Sequence, residues 1–492
     1  MKKHQTMKIL YIASEAAPII KIGGLGDVAG SLPKALKNLS LNKISGYDLD
    51  IRVAIPFHAS INQKFDNLQL VASFFVKHQQ GDIPARVFQT NLDGITVYLI
   101  EGGSILTDEN VYSSNPEYDA KKFIFFSIAA LDFVKKINWK VDIVHANDWH
   151  TALAAYDLQL RQQTDNFFKS TKSVLSMHNM PYMGTSSEDI FQKFGLPNCP
   201  CTMLPEWARN IPLPMGMYAA DYLLTVSPNY AKEILTPDYG CGLQDFLSIR
   251  KNTLAGILNG LDETKWDPEN DPTIHHNFGL DQLNQRVNNK LALQTEFGLE
   301  KSDEIPLFIM ITRLDQQKGV DLAISALRML TNHSWQAILL GTGDPVIESA
   351  CRSLEVEMPE KVRSIIRFDQ NLSKRMYSGG DIILIPSRYE PCGLTQMIAM
   401  RFGCVPLARA TGGLKDTIFD EDNLNTKNGY LFSDPTPESM AQTMIQALTQ
   451  FKNKKQWHQI QMNGMKSNFS WEKSAIEYAK IYKKLIEENH EN

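Results

Sequence analysis

The sequence predicts an α/β protein built from two doubly wound, Rossmann-like domains. Three observations carry that reading. At 492 residues the chain exceeds what one hydrophobic core holds, and two domains of roughly 250 residues each are the natural division. Short apolar runs alternate throughout with amphipathic helical stretches, the pattern of parallel strands joined by helical crossovers. These runs form two series separated near 254–262, where Gly256 and Gly260, then Pro268 and Pro272, break the pattern.

In the first series the strand-like runs are 9–13, 51–55, 95–100, 141–144, 173–177 and 222–226, with a helix from Gly26 to about Leu39. Residues 104–120 are polar and turn-rich and read as a mobile surface loop beside a site. Residues 185–215, with their prolines, read as an irregular insert. The second series runs 306–312, 335–340, 364–368, 381–385 and 404–408, with helices at 320–330 and 438–451. A last helix, from 470 to about 487, spaces Trp471, Ala475, Tyr478, Ile481, Tyr482 and Leu485 along one face that needs a surface to cover. The expected domains are therefore 1–254, 255–469 and a terminal helix 470–492.

Composition narrows the function classes. A chain 43% hydrophobic and 21% charged is an ordinary globular one. Its net charge of −5, with no block of like charge, argues against nucleic acid or a membrane surface as an electrostatic partner. No segment approaches the ~20 apolar residues of a membrane span. Met1-Lys2-Lys3 ahead of an apolar run imitates a signal peptide, but Glu15 and the glycines after it interrupt the run, which serves better as a buried strand. Met7 is an alternative start. The cysteines at 199, 201, 241, 351, 392 and 404 have no zinc or redox spacing and read as reduced thiols of a cytoplasmic protein.

Chemistry gathers where strands end. Lys21-Ile22-Gly23-Gly24-Leu25 follows the first strand and opens a helix, bringing a cation and free amides to a phosphate-binding position. Its spacing is not the dinucleotide Gly-x-Gly-x-x-Gly, so another phosphorylated ligand is expected. In the second half, Arg313 and Lys318-Gly319 follow run 306–312, two cations suited to a diphosphate leaving group. The turn after 381–385 carries Glu390, an acceptor for sugar hydroxyls, and Thr411-Gly412-Gly413 repeats the glycine device after 404–408. His145-Ala146-Asn147-Asp148-Trp149-His150 and His178-Asn179 end two first-half strands with the polar and aromatic mixture of a sugar cleft. Asp48-Leu49-Asp50 and Asp420-Glu421-Asp422 fit a metal-holding Asp-x-Asp pattern, yet the first precedes a strand and the second lies in a polar loop. Both read as solvated turns, and no metal site is expected.

Together these segments, with Ala220-Asp221, Thr225-Val226-Ser227-Pro228, Gly256-Ile257-Leu258-Asn259-Gly260 and Glu390-Pro391-Cys392-Gly393-Leu394-Thr395-Gln396, resemble the bacterial glycogen synthase and plant starch synthase family, retaining glycosyltransferases of the GT-B fold (family GT5). The resemblance runs from about residue 7 to the last helix. It implies two Rossmann-like domains facing across a deep cleft. It also implies glucose transfer from ADP-glucose to the non-reducing end of an α-1,4-glucan such as glycogen or a maltooligosaccharide, with no cofactor and no metal. Arg313 and Lys318 would hold the diphosphate, with Lys21, Gly23 and Gly24 reaching the same phosphates and glucose from the other domain once the cleft closes. Glu390 and the segment Cys392, Gly393, Leu394 and Thr395 would grip the glucose, with Thr411 and Gly412 beside them. His178 would touch the donor sugar, its backbone carbonyl facing the anomeric carbon, and Asp148 would organise the sugar and acceptor side. Asn259 and Tyr112 complete the sugar-side set, and Phe368 stands where the family puts an aromatic against the base. Front-face attack with the leaving phosphate as base is the implied chemistry, and the last helix would cross back to the first domain. Asn147 departs from a common His, and Met183 from a common Gln. The alternatives are a UDP-glucose-using glucan synthase, a non-catalytic glucan-binding GT-B protein, and a small-sugar synthase of the sucrose or trehalose kind.

Overall fold

The computed structural model describes residues 5–44, 46–61, 68–105 and 110–488. They form two compact units, residues 1–260 with 471–492, and residues 261–470. Among the described residues, no helix is long and apolar enough to cross a membrane.

The first unit contains β1 (Gln5–Ile12), β2 (Tyr47–Pro56), β3 (Gln69–Val76), β4 (Ile83–Leu92), β5 (Ile95–Gly102), β6 (Ile143–Asn147), β7 (Lys172–Met177), β8 (Tyr222–Thr225) and β9 (Leu254–Gly256). They lie in the order β3-β4-β5-β2-β1-β6-β7-β8-β9. The run from β5 to β9 is parallel, and β3 and β4 add an antiparallel edge. The central strands read as continuous apolar runs because helices cover both faces of a parallel sheet. β1 lies between β2 and β6. Chain order reverses there, and ligands of such sheets bind beyond the carboxyl ends of the strands at that point.

The second unit repeats the plan with β10 (Leu307–Ile311), β11 (Gln336–Gly341), β12 (Val362–Ile366), β13 (Ile382–Ile385), β14 (Val405–Arg409) and β15 (Tyr430–Phe432). The order is β12-β11-β10-β13-β14-β15, parallel throughout, so the reversal falls at β10.

Four strands escape the apolar-run reading. β3 and β4 form a partly exposed edge ribbon with Leu70 and Phe75 facing water, so no buried run marks them. β9 and β15 are three residues each. Because β9 pairs with β8, the units divide at Gly260 rather than at 254, and the second division falls after Ser470. The turn-rich 104–120 stretch is shorter than expected. Asn115 caps the helix Pro116–Lys136 by accepting the Glu117 amide, while 106–109 lie outside the described residues. The 185–215 insert holds a short helix, Glu188–Lys193, and the start of another, Pro212–Ala219.

The helix Trp471–Glu488 belongs to the first unit and buries Trp471, Ala475, Tyr478, Tyr482 and Leu485 in its core. Tyr482 lies with its hydroxyl 2.5 Å from His145 Nδ1, and His145 Nε2 lies 2.7 Å from Ser176 Oγ. Burial pushes the His145 pKa down to about 3, so the ring is neutral. Ser474 donates to the Leu258 carbonyl at 2.6 Å, fastening the chain just before Asn259. Tyr482→Phe should lower stability by about 1–2 kcal/mol, the cost of stranding a buried imidazole nitrogen. Urea unfolding checks this, and an unchanged midpoint would mean that the hydroxyl contributes nothing.

Candidate active site

The loop after β1 is shaped by a buried carboxylate. Glu15 is 1% exposed. It accepts the Gly23 amide at 3.1 Å and the amide of Ile22. Its Oε1 also takes the Tyr112 hydroxyl at 3.0 Å, and that hydroxyl lies 2.9 Å from Ser14 Oγ. Gly23 is then the extended residue before the helix Gly24–Lys37. Lys21 projects partly into solvent with Nζ 2.5 Å from Asp27.

At the end of β6 the chain turns through Asp148, whose φ of +55° is the left-handed region that non-glycine residues seldom enter. That turn buries its carboxylate, which accepts the amides of His178 at 2.6 Å and Asn179 at 3.3 Å. Asn147, fully buried, completes the junction. Its Nδ2 donates to the Ile12 carbonyl at 2.9 Å, and its Oδ1 accepts the Tyr11 hydroxyl at 3.0 Å. His178 Nε2 lies 2.9 Å from the same oxygen. Because Oδ1 can only accept, His178 carries its proton on Nε2. Burial pushes the His178 pKa down to about 4, against the pull of Glu15. The His150 pKa falls to about 3 for the same chief reason. Asp148 moves the other way, pushed up to about 7 by burial although the two amides lower it. Asn259 is buried too, and its Oδ1 has no hydrogen-bond partner among the described residues.

In the second unit Arg313 follows β10, two-thirds exposed, with its guanidinium 2.9 Å from Asp315. Lys318 Nζ lies 2.6 Å from Glu390 Oε2, which also accepts Ser387 Oγ at 2.8 Å. Both contacts fall on Oε2, which leaves Oε1 able to accept a ligand hydroxyl. Two glycines let backbones close on this pair. Gly319 has φ +65°, and a Cβ there would fall on the Pro386 carbonyl oxygen. Gly412 has φ +46°, and its Cβ would meet the Glu390 carbonyl. The Gly413 amide donates to that carbonyl at 3.1 Å, so the Thr411-Gly412 turn and the 390–392 turn form one surface. Cys392 is buried in it, Gly393 is left-handed at +74°, and Leu394 precedes the helix Thr395–Arg401. Phe368, 84% exposed at the end of β12, offers a free ring face.

The sequence-derived residues thus divide between the two units. Lys21, Gly23, Gly24, Tyr112, Asp148, His178 and Asn259 lie in the first, and Arg313, Lys318, Phe368, Glu390, Cys392, Gly393, Leu394, Thr395, Thr411 and Gly412 in the second. Tyr112 spends its hydroxyl on Glu15 and Ser14. Sequence reasoning missed Glu15, Asn147 as a junction, and Ser387; a lone carboxylate inside an apolar run ahead of a glycine loop was the available signal for Glu15. The Asp-x-Asp rivals are engaged elsewhere, Asp50 on Arg52 and Trp139, and Asp420 on Lys427 and the Leu431 amide. Among the described residues no group of three or more His, Cys, Asp or Glu is arranged to hold a metal ion.

Residues 8–249 match the family model described as starch synthase catalytic domain, and residues 294–463 match glycosyl transferases group 1. A glycogen synthase of Geotalea daltonii is 37% identical over 98% of this chain and 99% of its own length. The chain belongs to the glycogen synthase and starch synthase family. A second glycogen synthase, from Thermosipho africanus, is 37% identical over 98% of this chain and 99% of its own. The catalytic domain of starch synthase IV from Arabidopsis thaliana, solved bound to ADP and acarbose, superimposes with a TM-score of 0.86 at 30% identity, covering 98% of this chain and all of that one. The fold is GT-B, and the activity is that of a glucan-building glycosyltransferase.

The Asp148 environment predicts a pH response. The folded chain holds this proton to about pH 7, whereas an unfolded chain releases it near 3.8. Its contribution to stability is therefore greatest below pH 4 and is lost as pH rises through about 7. Asp148→Asn removes that dependence while keeping an amide acceptor. The variant should gain on the order of 2 kcal/mol relative to wild type between pH 5 and pH 8, read from chemical denaturation at each pH. A constant difference would contradict the assignment.

Proposed function

We propose that the chain transfers glucose from ADP-glucose to the non-reducing end of an α-1,4-glucan, with retention and without a metal ion. The observation that carries the reading is the pairing of Lys318 with Glu390 beside the exposed Arg313 at the switch point of the second sheet. Arg313 and Lys318 supply two cations for a diphosphate, and Glu390 Oε1 with the 392–395 backbone supplies acceptors and donors for glucose hydroxyls. Lys21 and the Gly24 amide serve the donor, and Phe368 stacks on its base. ADP is favoured because the related starch synthase IV was solved with it. Six free cysteines suit the reducing cytoplasm to which we assign the enzyme.

How the carboxylates are used separates a direct transfer from a double displacement through a glucosyl-enzyme. A retaining hydrolase needs a carboxylate free to attack the sugar. Glu15 and Asp148, buried in the first unit, are both turned into backbone amides. With retention proposed and neither carboxylate presented to the sugar, the acceptor O4 bonds to C1 on the face from which the phosphate leaves. The C1–O bond to phosphate breaks, and the O4 proton passes to a departing phosphate oxygen. Arg313 and Lys318 stabilise the charge on the ADP, and the neutral His178, pinned at its amide and its ring, shapes the sugar pocket.

ADP release should require glucan and ADP-glucose, survive EDTA, and run at least about tenfold slower with UDP-glucose. Equal or faster UDP release would reassign the donor, and no glucan-dependent release with either donor would overturn the reading. Lys318→Gln should lower kcat by roughly 100-fold or more, the loss of one charged contact to a developing phosphate charge. A change confined to the glucan KM would move Lys318 to the acceptor side.

A further inference from the structure

The buried polar groups between β5 and the first glycine loop form one continuous strut. Lys122, on the helix Pro116–Lys136, is 0% exposed, an expensive place for an ammonium. It is used to strap the preceding loop: Nζ donates to the Val111 carbonyl at 2.7 Å and the Asn110 carbonyl at 3.2 Å, and lies 3.1 Å from Asp119. Asp119 in turn accepts the Ser113 amide at 3.0 Å. Tyr112 is thereby held from both sides, and its hydroxyl reaches Glu15 at 3.0 Å. Glu15 passes the restraint to the amides of Ile22 and Gly23, the residues directly after Lys21.

We propose that Glu15 is a positioning residue for the donor. Its carboxylate moulds the 21–24 loop, and Tyr112, braced by Lys122 and Asp119, holds that carboxylate in place. This rests on the donor role given above to Lys21 and Gly24. A carboxylate suits the task because it only accepts, and here every partner on it is a donor. Those donors also offset its charge, so a phosphate beside the loop meets Lys21 and the Gly24 amide rather than a bare anion. A glutamine in its place would remove the charge that holds the loop amides; its NH2 would oppose an amide N–H if turned to the loop, and if turned to Tyr112 would force the phenol oxygen to accept.

The test uses the full chain and compares wild type, Glu15→Gln, Tyr112→Phe, Lys122→Met and the Glu15→Gln/Tyr112→Phe double variant. Hydrogen exchange of a peptide containing Ile22 and Gly23 is read alongside kinetics with ADP-glucose and with glycogen. Glu15→Gln should speed exchange at the loop and lower kcat/KM for the nucleotide sugar roughly 10–100-fold, the range for one hydrogen-bonded charged group, with the glycogen KM within about twofold. Tyr112→Phe should show a smaller loss that vanishes in the Glu15→Gln background, since it acts through that carboxylate. Lys122→Met should speed the same exchange, which keeps the proposal open to refutation if Glu15→Gln does not fold. Unchanged loop exchange, equal losses for donor and glycogen, or additive losses in the double variant would each overturn it. A wild type that releases no nucleotide with glycogen would refute the donor reading instead, while the exchange measurement still decides whether Glu15 holds the loop.

Discussion

The first unit's share of the site depends on one bond pattern, the Asp148 carboxylate accepting two amides of the chain after β7. It joins the end of β6 to the end of β7, and it exists because Asp148 accepts a left-handed backbone that turns its side chain inward. The cost is a buried acid whose proton is held to about pH 7. The return is a fixed His178 backbone. Asn147 does the same for the His178 ring and ties both to β1 through Ile12 and Tyr11. Three strand ends at the point of chain reversal are thus locked by two adjacent side chains, and functional groups placed there inherit that rigidity.

Buried carboxylates recur as backbone holders in the first unit. Asp148 takes the 178–179 amides, Glu15 the 22–23 amides, and Asp119 the Ser113 amide. Each fixes a loop that a parallel sheet leaves without ladder partners. The second unit handles its site differently. Its carboxylate, Glu390, faces a lysine and a serine rather than amides, and its loops are shaped by glycines that let backbone meet backbone. One unit offers a rigid polar frame, and the other a set of cations and acceptors that a charged ligand can re-pair.

Much of this was legible in the sequence. Strands buried on both faces announce themselves as apolar runs, so β1, β2, β5 to β8 and β10 to β14 could be located, and with them the strand ends bearing Lys21, Asp148, His178, Arg313 and Glu390. The edge ribbon β3–β4 could not, because half-exposed antiparallel strands mix polar and apolar residues freely. The division at Gly260 falls inside the 254–262 seam but past the expected boundary at 254, because β9 is a three-residue strand defined by its pairing with β8 and by no pattern of its own. Glu15 read only as a break in an apolar run because its chief partners are backbone amides, which every sequence has and none displays. Tyr112 stood out as a candidate ligand contact, yet its hydroxyl partner is a side chain 97 residues away, a pairing only the fold creates.

The deep carboxylates Glu15 and Asp148 of the first unit hold backbone and do not attack sugar. The direct test is rapid-quench mass analysis of the protein after mixing with a slow fluorinated ADP-glucose and glycogen, together with NMR assignment of the new anomeric linkage. The expected outcome is an α-linked product and a protein of unchanged mass throughout turnover. A glucosyl ester on Asp148 or Glu15, or a β-linked product, would contradict it.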